Sequence, residues 1–356
     1  MATTLSTLAT HVTAPVNVVL MRGLLSAAKR TYPYLNGAIP GSLEENQGSM
    51  TVKWRRIANL AFATTALGET VGNTSWQMSR TPTTPVVSDL TVAIAKYGNF
   101  INYSEELDLF NVNSRAAQLM DTLGENAGGT LNALMRGVHD AGTNIRYATG
   151  VASTTVVISA ISLNDIKYCV NQLDRQSGMK FFPMGTGSQN VTTSTVRASY
   201  FGICHSDVEQ DIRGLTGFIG IEQYGGYTAA FVGEFGAVGG VRWASTEIGP
   251  IATSGGTTSV AGFRGSTTTT NDVYSTFIYG REAVGSVGLG EDHTEAIYVG
   301  GEAPPAVSLI NKAVGSAGAA DPFNEFGSLA WKSWFAGKIL NTNWQLKVET
   351  LSADIT

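Results

Sequence analysis

The chain has 356 residues, enough for one large domain or for two to three ordinary ones. Hydrophobic residues make up 43% of it and charged residues only 14%, against roughly 25% in an ordinary soluble domain, so we expect other copies of the chain to cover much of its surface. The net charge of −5 argues against nucleic-acid binding over the whole surface, which requires a basic excess. No apolar run reaches the roughly 20 residues of a membrane-spanning helix, so no membrane partner is expected.

The N-terminal stretch lacks acidic side chains, because the first 43 residues contain no Asp or Glu and are rich in Ser, Thr and Ala. Organelle transit peptides share this composition, but we interpret residues 1–49 as an N-terminal arm that lies on another part of an assembly. The stretch TLSTLATHVTAPVNVVLMRGLLSAAKR predicts one short amphipathic helix near its end, and residues 37–49 form a loop rich in turn formers.

Residues 50–97 alternate in polarity in two runs, MTVKWRRIANLAFA and SDLTVAIAKYGNF, which predicts a long two-stranded ribbon. In the first run, Val52, Trp54 and Arg56 occupy one face and the residues between them the other, so neither face is plainly apolar. Because an isolated hairpin is marginal in water, we expect the ribbon to lie across a neighbouring subunit. The predicted contact residues are Lys53, Trp54, Arg55, Arg56 and Trp76.

Apolar residues recur at intervals of three and four over residues 114–142, which predicts one long amphipathic helix. Asn113 is a suitable N-cap and Gly142 a suitable stop. Glycines inside the span cost about 1 kcal/mol each against alanine, so we expect tertiary packing to hold the helix, with close backbone approach or a bend near Gly128-Gly129. The predicted core residues of this spine helix are Leu119, Met120, Leu123, Leu131, Leu134 and Val138.

Residues 143–325 mix short helices with many short strands, so the fold class is α+β. The segment SLNDIKYCVNQLDRQSG predicts a second helix capped by Ser162. The chain closes with a strand in which Trp344, Leu346 and Val348 alternate with polar residues.

The stretch Cys204-His205-Ser206-Asp207 places a thiol, an imidazole, a hydroxyl and a carboxylate in a row. Ser206 and Glu209 match the S-x-x-E capping box, so we interpret the stretch as the start of a helix. A nucleophilic site would need a base and an orienting group converging in space, which sequence neighbours do not provide. An enzyme using Cys204 and His205 stays an alternative, although Cys169 and Cys204 both lie in apolar surroundings typical of inert, buried thiols.

Other site patterns are weak. Four histidines are scattered without ligand spacing, and the chain has neither C-x-x-C nor H-E-x-x-H, so no metal or cofactor is predicted. Residues 185–190, GTGSQN, lack the remaining parts of a phosphate loop. The Gly-, Ser- and Thr-rich loop at 251–272 leaves a second alternative open, a secreted or tail-associated adhesin.

Five phrases occur in a characteristic order: KYGNFINYSEELD, CHSDVEQDIRGL, GEFGAVGGVRWASTE, DVYSTFIYGREAVGSVGL and GSLAWKSWFAGKILNTNWQLKVET. With the order of arm, hairpin, spine helix, mixed body and returning strand, they resemble the tailed-bacteriophage major capsid proteins of the Hong-Kong-97-type fold. The phrases are most similar to the subgroup typified by coliphage N-four. The likeness covers most of residues 50–350, and the arm and the 251–272 loop match nothing in it.

The resemblance implies a structural protein whose copies form hexamers and pentamers of an icosahedral shell around double-stranded DNA. Residues 50–97 would be the extended loop, 98–150 the peripheral domain with the spine helix, and 151–325 the axial domain. Residues 326–356 would return to the peripheral domain. Portal, scaffolding and decoration proteins would be its partners, with DNA only in loose proximity. The protein would belong to the virion, after assembly in the host cytoplasm.

Overall fold

The structure is a computed structural model. It describes residues 33–106 with gaps at 36, 44–48, 59, 63 and 65–83; 115–181; 198–224; 233–289 with gaps at 257–259 and 266–269; and 307–354 with gaps at 313, 315–322 and 324. The predictions for the arm up to residue 32, for Trp76, for the Asn113 cap and for residues 185–190 lie outside the described residues.

Strands outnumber helices along the described chain. The helices are α1 (Arg115–Asp140), α2 (Leu163–Arg175) and α3 (Ser206–Arg213). The strands are β1 (Ile39–Leu43), β2 (Thr51–Ile57), β3 (Val87–Ala93), β4 (Ala95–Ser104), β5 (Ile145–Tyr147), β6 (Tyr200–His205), β7 (Ile219–Gly220), β8 (Glu234–Val238), β9 (Val241–Thr246), β10 (Ile251–Ala252), β11 (Val273–Tyr279), β12 (Val284–Leu289), β13 (Val307–Lys312), β14 (Phe326–Ile339) and β15 (Gln345–Thr350).

One sheet, the spine sheet, has the strand order β1-β12-β14-β13, with β4 also paired to β14. β14 is antiparallel to β4 over residues 326–335, to β13 over residues 328–333 and to β12 over residues 335–339. Leu329, Trp331 and Phe335 alternate along β14, and all three are buried in the cluster that includes α1. Because strand side chains alternate between faces, this pattern places one face of the spine sheet against α1.

Helix α1 contributes five buried residues to the same cluster. Of the six predicted core residues, Met120, Leu123 and Leu131 are buried in it, and the other three, Leu119, Leu134 and Val138, pack partly buried against it. The helix begins and ends within two residues of the predicted 114–142 span. No helix in the described part of the chain is both long and apolar enough to cross a membrane.

A second sheet, the body sheet, has the order β5-β15-β11-β6-β9-β8-β7, with β10 added to β11. Every residue of β6 and β11 is buried, as expected for central strands covered on both faces. Phe201 and Ile203 face the cluster shared with α1, whereas Tyr200 and Cys204 face a separate cluster formed with α2 and α3. The body sheet therefore separates two hydrophobic cores.

Helix α2 starts as the sequence predicts. The Ser162 side chain accepts a hydrogen bond from the Asp165 backbone N–H at 3.3 Å. The buried carboxylate of Asp165 accepts from Arg146 in turn, at 3.1 Å. This pair joins the start of α2 to β5.

The sheets do not follow the predicted boundary at residue 325. β12 and β13, inside the predicted axial unit of residues 151–325, pair with β14 in the spine sheet. β15, predicted to return to the peripheral unit with the rest of 326–356, lies in the body sheet between β5 and β11. The reason is the short connection at 280–283 between β11 and β12, which crosses from one sheet to the other.

Leu131→Ala should destabilise the unassembled chain by about 2–5 kcal/mol, because it leaves a cavity where α1 meets the spine sheet. Urea denaturation measures this free energy of unfolding. Asp121→Ala, at an exposed position of the same helix, is the control and should change it by less than about 0.5 kcal/mol. A loss below about 1 kcal/mol for Leu131→Ala would contradict the packing of the helix.

Candidate assembly interface

The predicted ribbon exists as the antiparallel pair β2–β3, with Trp54 opposite Leu90. Its base packs on the face of the spine sheet opposite α1, where Val52, Trp54 and Val92 cover the buried residues Val287 and Ala336. This packing occurs within one chain. The ribbon is therefore anchored at its base before any second copy is present.

Trp54 lies over two glycines of the spine sheet. A Cβ added to Gly285 would stand 2.9 Å from the indole atom Cζ2, and one added to Gly41 would stand 3.1 Å from it. Both distances are too short for an unshifted side chain, so the indole contacts these strands directly. Trp54, predicted as an intersubunit contact, uses at least part of its surface within its own chain.

The opposite face of the ribbon is charged. Lys53 Nζ and Arg55 Nε both bind the carboxylate of Asp89, at 3.2 and 3.1 Å. The hydrogen bond from Arg55, followed by that from Lys53, lowers the pKa of Asp89. Two cations share one carboxylate, so this exposed face keeps a net positive charge.

Arg56 ties the ribbon to the rest of the chain. Its Nη1 donates to Oδ1 of the buried Asn341 at 3.2 Å, and the same oxygen accepts from the Asn343 backbone N–H. Of the predicted contact residues that the structure describes, Lys53, Arg55 and Arg56 are exposed, and Trp54 is half-buried.

Sequence alternation missed the apolar end of the ribbon, where large side chains are uncovered. Ile57 is 63% exposed, Val86 70% and Phe62 95%, and Leu60 and Val87 are exposed beside them. Contiguous apolar patches on a soluble monomer commonly mark interaction sites. The signal available in the sequence was the run Ile57 to Phe62, in which every residue except Asn59 is apolar. We call these five residues the apolar end.

The geometry at Cys204 gives no nucleophile–base pair. The thiol is fully buried and lies 3.6 Å from the Ala244 carbonyl, and burial raises its pKa well above the ordinary value. His205 Nδ1 accepts from the Asp207 N–H at 3.1 Å, and Nε2 lies 3.1 Å from the Glu247 carbonyl, to which it donates. Both ring nitrogens are therefore occupied by backbone groups, and the enzyme alternative has no support.

The predicted capping box of Ser206 and Glu209 is wrong. His205 occupies the N-cap position, with extended backbone angles, and its imidazole caps the Asp207 N–H. Ser206 is already inside the helix, and the Glu209 carboxylate pairs with Arg213 at 2.8 Å, one turn further on. The reason is that β6 runs directly into α3, so the last strand residue takes the cap position.

The described part of the 251–272 loop binds its own chain. The buried Asn271 amide donates to the carbonyls of Val260, Phe263 and Arg264. Arg264 in turn binds Asp207 at 2.7 Å. These contacts hold the described part of the loop on α3. Among the described residues, no three His, Cys, Asp or Glu side chains converge on a point that could hold a metal ion.

His205→Ala should lower stability by about 0.5–2 kcal/mol because the helix loses its cap, whereas Ser206→Ala should change it by less than about 0.5 kcal/mol. Thermal unfolding of the two variants measures both effects. Burial lowers the pKa of His205 below its ordinary 6.5, so the capping contribution is present above pH 6.5 and is lost progressively below it. A larger loss for Ser206→Ala would contradict the assignment.

The chain resembles known proteins in its structure but not in its sequence. No protein-family model matches the chain, and no curated protein matches it.

Solved structures do match, over most of the chain. The capsid of Ralstonia phage GP4 gives a TM-score of 0.60 at 10% identity, covering 91% of this chain and 92% of that one. The head of Helicobacter pylori bacteriophage KHP40 gives 0.54 at 11% identity, covering 90% and 88%. The capsid of cyanophage Pam1 gives 0.53 at 12% identity, covering 92% and 94%. The chain therefore has the α+β Hong-Kong-97-type capsid fold, which confirms the fold class predicted from its sequence.

Proposed function

We propose that the chain is a major capsid protein whose copies assemble into hexamers and pentamers of an icosahedral head shell around double-stranded DNA. The observation that carries the proposal is the shared fold, which extends over about nine-tenths of this chain and of the capsid proteins it resembles.

The surface of the ribbon supports assembly through this element. The apolar end places five uncovered hydrophobic side chains on a ribbon whose base is fixed by Trp54 and Arg56. A rigid projection with an apolar end gains stability when a second copy covers it, at about 25 cal/mol per Å² of apolar area removed from water. Repetition around a closed shell lets individually weak contacts suffice.

The proposal assigns the ribbon, the spine sheet and the body sheet to different parts of a capsid subunit. The ribbon of residues 50–97 reaches over the adjacent subunit, α1 and the spine sheet form the peripheral part, and the body sheet forms the axial part near the capsomer centre. The five phrases that resemble the coliphage N-four subgroup fall on β4, β6–α3, β8–β9, β11–β12 and β14–β15. These elements build both sheets, and from the resemblance of the phrases we propose that the protein lies near that subgroup.

Partners follow from the same role. Portal, scaffolding and decoration proteins would contact the shell, and DNA would lie beside it without specific binding, in keeping with the net charge of −5. The protein would be a structural component of the virion, with no catalytic activity of its own, after assembly in the host cytoplasm.

Electron microscopy of the purified protein tests the function. Capsomers or closed shells are expected. A strictly monomeric species over a wide range of protein and salt concentration would contradict the proposal.

Val86→Asp should leave the chain folded and prevent or strongly reduce assembly, because it places a carboxylate in the apolar end. Val156→Asp, at a 50% exposed valine outside the ribbon, is the matched control and should assemble normally. Light scattering measures assembly, and circular dichroism checks the fold. Normal shells from Val86→Asp would exclude the apolar end from the interface. Trp54→Asp is a poorer test, because Trp54 also packs within its own chain.

A further inference from the structure

His139 lies in the last turn of α1, at the place where three parts of the chain meet. Its ring is packed against Tyr34 from the segment before β1 and against Phe277 and Tyr279 from β11, with ring centroids 5.8, 5.6 and 4.8 Å away. The side chain is only 1% exposed. The imidazole thus joins the segment before β1, the spine helix and the body sheet.

The polar atoms of this junction are not satisfied. Among the described residues, neither ring nitrogen of His139 has a hydrogen-bond partner, and the Tyr34 hydroxyl has none. The Tyr34 backbone and the Gln345 side chain approach the ring and partly favour its charged form, but burial dominates and lowers the pKa of His139 to about 4. The packed junction therefore holds the imidazole in its neutral form.

Tyr34 anchors the segment at residues 33–38 to the rest of the chain. Its side chain is fully buried, its ring meets Phe277 edge-on, and its backbone N–H donates to Asn132 Oδ1 of α1 at 3.1 Å. Four residues later the buried Ala38 precedes β1. Displacement of the Tyr34 ring would remove its contacts with His139 of α1 and with Phe277 of β11.

The charged groups around the junction cannot stabilise an imidazolium. From α1, Arg136 donates to the Ile248 carbonyl, and Asp140 is paired with Lys347 of β15 at 3.1 Å. Lys347 also binds Glu349, and this pair completes the charged groups of β15 near the helix end. The phenol rings of Tyr34 and Tyr279 pack against the imidazole, and the buried thiol of Cys204 interacts electrostatically with Tyr34.

We propose that His139 is the proton-binding site of an acid-sensitive latch, in which protonation displaces Tyr34 and releases residues 33–38 from the spine helix. The latch is a property of the single chain, so it goes beyond the proposed shell function and does not depend on it. It fits a buried imidazole at the contact between residues 33–38 and the core, because the cost of burying a charge there exceeds what the Tyr34 backbone and the Gln345 side chain return.

Proton binding by His139 is linked to the release of residues 33–38, and the two pKa values fix the direction of the pH effect. The released imidazole binds a proton at its ordinary pKa of 6.5, and the packed one only at about 4. Lowering the pH from 6.5 to 4 therefore shifts the equilibrium constant between the packed and released forms toward release, by up to tenfold per pH unit and roughly 300-fold in total. Above pH 6.5 both forms are neutral, and the latch stays closed irrespective of pH.

Hydrogen exchange of the purified full chain, read by mass spectrometry on peptides covering residues 33–43, tests the latch. Between pH 7 and pH 4.5, and after correction for intrinsic exchange rates, protection of this segment should fall by at least tenfold in the natural chain. In His139→Phe, which keeps an aromatic ring but cannot bind a proton, it should stay constant. The control His205→Gln, which removes the other described histidine that is largely buried, should behave like the natural chain.

Equal pH dependence in the natural chain and in His139→Phe would overturn the proposal, as would constant protection in the natural chain. If His139→Phe does not fold, His139→Gln replaces it, and nuclear magnetic resonance of histidine-labelled natural chain provides a second reading. The His139 resonance should then titrate together with the release of residues 33–38. Titration of His139 near pH 6.5 without release would also overturn the latch. Because unassembled chain is used, failure here would leave the assembly experiments unaffected.

Discussion

The packing of α1 on β14 is the contact on which the other elements depend. β14 pairs with β4 along one edge and with β13 and β12 along the other, and its inner face supplies Leu329, Trp331 and Phe335 to the helix. The Trp331 indole N–H donates to Asn126 Oδ1 at 3.0 Å, which fixes the rotation of the helix over the strand. A slip of one residue would turn these side chains to the other face, so the contact sets the register of four strands together.

Local patterns in the sequence were enough for the elements that carry their own periodicity. The stripe of α1, the alternation of β2 and β3, and the Ser162 cap of α2 all appear where the pattern predicts them. Each of these depends on residues within one or two turns or on one strand pair, so no distant partner is needed to specify it. The order of the five phrases then led to the fold class.

Predictions that depend on distant partners were less successful. β12 and β13 were assigned with the body because they are close to it in sequence, but their edges match β14. Alternation separates Trp54 from Lys53 without telling which face the chain itself covers. The cap was assigned to Ser206 from residue statistics, whereas the strand that precedes it places His205 in the extended conformation that a cap requires. The uncovered apolar end became visible only in the folded chain.

The two glycines beneath Trp54 have a geometric consequence. Because Gly41 and Gly285 carry no side chain, the Trp54 indole contacts the backbone of β1 and β12 directly. This contact sets the angle between the ribbon and the spine sheet. In a closed shell of identical subunits, the angle at which an intersubunit ribbon projects affects the angle between neighbouring subunits. A methyl group at either position would press against the indole and displace the base of the ribbon from the sheet.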